Sequence, residues 1–105
     1  MIISEEKLGN ALVFLAESDD KYAHLKAEMM RAEILVERSK ARCFLLADGN
    51  VEERKCTAKT SGDVIQAEDT YIGYVKEFEG LRAKRQRAEL VVDVFRTLEA
   101  SRRKA

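Results

Sequence analysis

The chain has 105 residues, with 19 basic and 19 acidic residues and a formal net charge of zero at pH 7. This length limits the chain to one domain, and the charge balance excludes a role that rests on net charge alone. Charged residues make up 36% of the chain, aromatic residues make up 7%, and proline and tryptophan are absent, which is typical of long helices.

The first predicted element is a short helix over residues 4–16. Ser4 is a candidate N-cap, and Glu5 and Glu6 follow it in the first turn, where carboxylates suit the helix dipole. One face carries Leu8, Ala11, Leu12 and Leu15. A polar break at residues 18–20 (Ser-Asp-Asp) ends this helix and offers a second set of N-caps.

A long helix is predicted over residues 19–47. Its apolar positions recur in steps of three and four, the spacing of a coiled-coil seam. The seam consists of Tyr22, Leu25, Met29, Ala32, Val36, Ser39, Cys43 and Leu46. Gly49 and Asn50 then stop the helix, because both tolerate the left-handed conformation that closes a helix end.

Residues 48–62 are predicted to connect the two long helices, as a helical turn near Glu52 or as an extended loop. Thr60 and Asp63 have capping-box spacing, which predicts the start of the last helix. Cys43 and Cys56 form no CxxC pair, and with one histidine, His24, they cannot complete a zinc site. Cys43 is expected to pack as a small hydrophobic residue.

The last predicted helix covers residues 63–103 and is the longest element. Its seam again has steps of three and four, and Arg85 is a polar interruption that can set register. The apolar members are Val64, Ala67, Tyr71, Tyr74, Phe78, Leu81, Ala88, Val92 and Phe95. Gly73 and Gly80 each reduce helix stability by about 1 kcal/mol relative to alanine. Such glycines are either local weak points of the helix or positions where a neighbouring helix approaches closely.

These elements predict an all-α fold: a long antiparallel, coiled-coil-like helical hairpin with a short N-terminal helix. The C-terminal helix is apolar over more of its circumference than one neighbour covers. The short first helix, a second subunit, or both are therefore expected to cover it, because a large exposed apolar patch is a liability in a monomer. A homo-oligomeric helical bundle is the prediction. The expected oligomer interface is Phe14, Leu90, Val91, Val94, Phe95 and Leu98.

Residues 81–105 carry eight basic and three acidic residues. This excess has two interpretations: contact with nucleic-acid phosphates, or compensation of the helix dipole and of the acidic start of the chain. The candidate phosphate contacts are Arg82, Lys84, Arg85, Arg87, Arg102 and Arg103.

Enzyme activity is not expected, because no catalytic motif surrounds His24 and no glycine-rich phosphate loop is present. No cofactor or metal is expected either. A carboxylate metal site made of Glu28, Glu33, Glu68 and Asp69 is a minor alternative. The start of the chain lacks a signal-peptide pattern, and the longest apolar run, residues 11–16, is shorter than the roughly 20 residues that span a bilayer. A cytoplasmic, reducing setting is therefore expected.

The C-terminal half resembles small helical proteins of tailed bacteriophages and prophages. The resemblance rests on residues 81–85 (LRAKR), 88–98 (AELVVDVFRTL) and 101–103 (SRR), with the Gly49 turn and residues 58–61. Such proteins are encoded near recombination and replication genes. The resemblance implies a non-enzymatic accessory or adaptor role in DNA metabolism in a bacterial host cell. The alternative is a structural or inhibitory module that binds a protein partner and no nucleic acid.

Overall fold

The computed structural model describes residues 3–104, which form three α-helices. Helix α1 runs from Glu5–Leu46, α2 from Val51–Thr60 and α3 from Gly62–Lys104. The long helices α1 and α3 pack antiparallel, with α2 as the short helix between them in sequence. The all-α antiparallel helical hairpin is thus confirmed.

The described chain divides into two compact units. The first unit pairs residues 3–23 of the N-terminal part with residues 79–104 of α3. The second unit, His24–Phe78, contains the rest of α1, all of α2 and the start of α3.

The core of the first unit is a small cluster of Ala11, Ala88 and Val92. Leu8, Phe14, Leu15 and Val91 pack against this cluster and remain partly buried. Two of the three buried residues are alanines, so the cluster itself removes little apolar surface from water.

In the second unit the predicted α1 seam is buried at four positions and half-buried at Met29 and Cys43. Leu25, Ala32, Val36 and Ser39 are buried, whereas Leu46 is 78% exposed at the helix end. From α3, Val64 and Phe78 complete this interior, and α2 contributes Ala58. Cys43 is half-buried and donates its thiol hydrogen to Ser61 Oγ over 3.2 Å.

The predicted short helix over residues 4–16 is wrong, because α1 continues without interruption through residues 18–20. The Ser18 hydroxyl donates to the carbonyl oxygen of Leu15 at 3.5 Å and lies in the interface with α3. Leu15, Ser18 and Tyr22 continue the three-and-four spacing of the seam through residues 18–20, where the break was predicted. Ser4 is the N-cap as predicted, since its Oγ accepts from the backbone N–H of Lys7.

The segment predicted as a connection, residues 48–62, contains helix α2. Asn50 caps α2 by accepting the Glu53 backbone N–H at 2.9 Å on its side-chain oxygen. The predicted capping box at Thr60 is wrong, because the Thr60 hydroxyl donates backward to the Cys56 carbonyl oxygen. Ser61, with extended backbone angles, separates α2 from α3.

Gly49 sits in the turn between α1 and α2 with φ of +102°, a conformation that side chains rarely adopt. Gly73 lies inside α3, and a Cβ built there meets no heavy atom of the described chain within 4 Å. Within one chain, Gly73 is therefore a point of weak helix propensity and not a site of close helix approach.

We predict opposite effects for two glycine-to-alanine substitutions. Gly49→Ala should lower the free energy of unfolding by about 1–2 kcal/mol, because alanine must adopt a positive φ beside the Glu53 side chain. Gly73→Ala should raise it by about 0.5–1 kcal/mol, because helix propensity improves without a clash. Urea unfolding followed by circular dichroism measures both, and equal effects of the two substitutions would contradict the prediction.

Candidate functional site

A buried arginine joins the two helices of the first unit. The Arg85 side chain on α3 is only 15% exposed. Its Nη1 donates to the Leu15 carbonyl oxygen at 3.0 Å and to Ser18 Oγ at 2.7 Å, and its Nη2 donates to Asp19 Oδ1 at 2.6 Å. The guanidinium also lies over the Tyr22 ring, 4.9 Å from its centroid.

All four groups around Arg85 come from consecutive turns of α1, so their spacing follows from the helix itself. Residues 15, 18, 19 and 22 fall on one side of a helix with 3.6 residues per turn. The planar fork of arginine can satisfy several acceptors at once, which a lysine ammonium does less well. Arg85 therefore fixes the alignment of α1 against α3 in this unit.

This placement corrects one predicted site residue. Arg85 was expected among the phosphate contacts, but its guanidinium is occupied by groups of α1. Sequence spacing also placed Arg85 in the α3 seam, and in the structure Arg85 does lie against α1.

The other predicted phosphate contacts are exposed on α3, with different surroundings. Arg82 pairs with Glu79 at 3.5 Å, and Arg102 pairs with Glu99 at 3.2 Å, each within one turn of the helix. Exposed pairs of this kind contribute little to stability. Lys84, Arg87 and Arg103 are exposed and form no ion pair with any described residue.

The basic end of α3 is not purely basic. A shallow depression in the first unit combines acids, bases and one aromatic ring, and its lining includes Glu5, Phe95, Arg96, Glu99, Arg102 and Arg103. Glu5 and Glu99 lower the positive potential there. Four of the predicted phosphate contacts, Arg82, Lys84, Arg85 and Arg87, do not line that depression. Among them, Lys84 and Arg87 lie one helical turn apart.

The residues of the predicted oligomer interface all lie in the first unit, and we call them together the first-unit apolar surface. Its residues are Phe14, Leu90, Val91, Val94, Phe95 and Leu98. Leu90 is 59% exposed and Leu98 is 44% exposed. Phe14 and Val91 pack partly against the small alanine-rich cluster, and Val94 and Phe95 are half-buried.

Further exposed apolar residues lie on α1. Leu12, which was placed on one face with Leu8, Ala11 and Leu15, is 48% exposed, and Val13 is 53% exposed. Met30 and Ile34 are exposed to a similar degree in the second unit. Met30 and Ile34 lie one helical turn apart on α1, outside the buried seam.

The minor alternative of a carboxylate metal site gains no support from the arrangement of side chains. Among residues 3–104, no group of three or more histidine, cysteine or acidic side chains is placed to hold a metal ion. Glu28 is instead bound to Arg31 at 2.7 Å. His24 is exposed.

Comparison with protein-family models, with curated proteins and with solved structures finds no match. The resemblance to phage proteins therefore remains a prediction. No helix in the described part of the chain is long and apolar enough to cross a membrane.

We predict that Arg85→Lys lowers the free energy of unfolding by about 1–3 kcal/mol, because one ammonium cannot bind the Leu15 carbonyl oxygen, Ser18 Oγ and the exposed Asp19 carboxylate at once as the guanidinium does. The matched control is Arg82→Lys, which alters one exposed pair and should change stability by less than about 0.5 kcal/mol. Urea unfolding of both variants is the measurement.

A double-mutant cycle of Arg85→Lys with Ser18→Ala tests whether the two side chains act together. Because they are in contact, the two losses should be non-additive by about 0.5 kcal/mol or more. Strict additivity would mean that the hydrogen bond between them contributes nothing in solution.

Proposed function

We propose that the protein is a non-enzymatic accessory or adaptor protein that works by helix-mediated self-association. The first-unit apolar surface makes the contact between copies. The observation that carries this proposal is that Leu90 and Leu98 are exposed while Phe14 and Val91 of the same unit are only partly buried.

Burial of the first-unit apolar surface by a second copy would be energetically favourable. Burying a leucine side chain completely is worth about 1.5–3 kcal/mol relative to leaving it in water. The cluster beneath the surface is built largely from Ala11 and Ala88, so the hairpin alone leaves much of this gain unrealised. Val91, Val94 and Leu98 follow one another in steps of three and four, which suits a helix of a second copy as the covering element.

Light scattering tests the proposal directly. We expect more than one chain per particle at micromolar concentration, and we expect Leu98→Asp to reduce the mass because it places a charge in the contact. Leu98 is partly exposed in the single chain, so helix content should be retained. Ile72→Asp is the control, since Ile72 is 61% exposed in the second unit and lies outside the surface.

Two outcomes would count against self-association through this surface. One is a wild-type chain that is monomeric at every concentration measured. The other is a folded Leu98→Asp variant whose mass equals that of the Ile72→Asp control.

A second candidate function is contact with nucleic-acid phosphates, as the resemblance to phage proteins implies. The supporting observation is the exposed pair Lys84 and Arg87, which form no ion pair with described residues and continue the line of Val91 along α3. Basic side chains in this situation supply sequence-independent affinity for phosphates.

Titration of single-stranded DNA binding against salt distinguishes the two candidates. If Lys84 and Arg87 contact phosphates, replacing either by glutamine should reduce the log–log salt slope by about 0.7. Lys76→Gln, in the second unit, is the matched control. Absence of DNA binding at low salt would favour the module that binds only protein.

A further inference from the structure

A second line of exposed apolar residues runs along α1, on a different side of the helix from the buried seam. We call it the outer stripe, and it consists of the apolar residues Ala23, Ala27, Met30 and Ile34, with the acidic residues Asp20 and Glu37 at its two ends. The steps are three and four residues, as in a helix-packing seam. Met30 is 53% exposed and Ile34 is 49% exposed, and the two alanines are exposed as well.

The outer stripe ends where α2 begins to cover the same helix. Beyond Glu37, residues Lys40 and Phe44 of α1 share a depression with Ala58 and Lys59 of α2. Phe44 is half-buried there, and Arg54 of α2 lies over its ring at 5.9 Å. Farther along α1, a helix of the same chain thus packs on this side. Before Glu37, the stripe is exposed within residues 3–104.

We propose that a second copy of the chain covers the outer stripe, with the two α1 helices antiparallel and centred between Glu28 and Met29. In this alignment Ala27 faces Met30 of the second copy, and Ala23 faces Ile34 of the second copy. Each large side chain meets an alanine, which lets the helix axes approach toward the short end of the usual range of about 8–10 Å.

The charges beside the stripe specify the second copy and the alignment. Lys26 lies opposite Glu33 of the second copy, and the two-fold axis repeats this pair. Farther out, Glu17 lies opposite Arg38 of the second copy. Flanking pairs of opposite charge set partner and orientation in paired helices.

Other alignments of the same two helices bring like charges together. A slip of one heptad in one direction places Glu33 against Glu33 of the second copy. A slip in the other direction places Lys26 against Lys26 of the second copy. A parallel, in-register pair would put Lys26 beside Arg31 and Glu33 beside Arg38 of the second copy, so one flanking pair repels and the other attracts. In the antiparallel alignment both Lys26–Glu33 and Glu17–Arg38 attract, and the sequence of α1 therefore favours that alignment.

The alignment also carries a cost at its two ends. Asp20 faces Glu37 of the second copy, and the two carboxylates repel each other. Lys40 reduces this cost, because it already pairs with Glu37 over 3.5 Å in the single chain. Removing one of these acids should therefore strengthen the contact, which gives the proposal a test by gain of association.

Charge reversal is the main test, carried out in the Leu98→Asp chain so that the first-unit apolar surface does not contribute. Lys26→Glu and Glu33→Lys should each raise the dissociation constant about tenfold, because each replaces two attractive pairs by two repulsive ones. Both side chains are exposed, so the fold should tolerate the changes. Mixing the two variants should restore association, since every flanking pair is then again of opposite charge.

Glu37→Gln should lower the dissociation constant about threefold by removing the repulsion from Asp20. Sedimentation equilibrium up to high micromolar concentration measures all variants. A monomeric Leu98→Asp chain would overturn the outer-stripe contact while leaving the first-unit apolar surface intact. Unchanged association of both charge-reversal variants, or no recovery on mixing, would also overturn it.

Discussion

The structure of the first unit depends on one charged side chain inside an apolar helix interface. A buried cation is costly unless its hydrogen bonds are satisfied, and Arg85 finds its acceptors on Leu15, Ser18 and Asp19. A shift of one heptad would bring Arg85 to Ala11 or Leu25 instead. Neither side chain accepts a hydrogen bond, so Arg85 excludes alignments that the repetitive seam alone would permit.

The seams of both long helices could be predicted from spacing, because helical periodicity marks the buried side directly. The continuity of α1 could not be predicted as easily. Ser18 and Asp19 are good N-caps in isolation, and their true partner, Arg85, lies 66–67 residues away in sequence. N-cap preferences alone predict a helix break at this polar cluster. The three-and-four spacing of Leu15, Ser18 and Tyr22, however, is that of one continuous helix.

The sequence could predict which residue types make up the candidate surfaces, but not which of those side chains are exposed. The apolar excess around Leu90 and Leu98 was visible in sequence, since it exceeds one helical stripe. The hydrogen bonds of Arg85 to α1 could not be predicted, because they depend on which groups the fold brings next to the guanidinium. The outer stripe of α1 was missed because Ala23 and Ala27 are inconspicuous next to the buried seam.

The separation in sequence of the contacting residues differs greatly between the two units. In the second unit, Cys43 reaches Ser61 across 18 positions, whereas in the first unit Arg85 reaches Leu15 across 70. The entropy of closing a loop grows with the logarithm of its length, so joining the chain ends costs about 1 kcal/mol more than closing the turn. Loop-closure entropy therefore opposes the Arg85–Leu15 contact of the first unit more than it opposes the Cys43–Ser61 contact of the second unit.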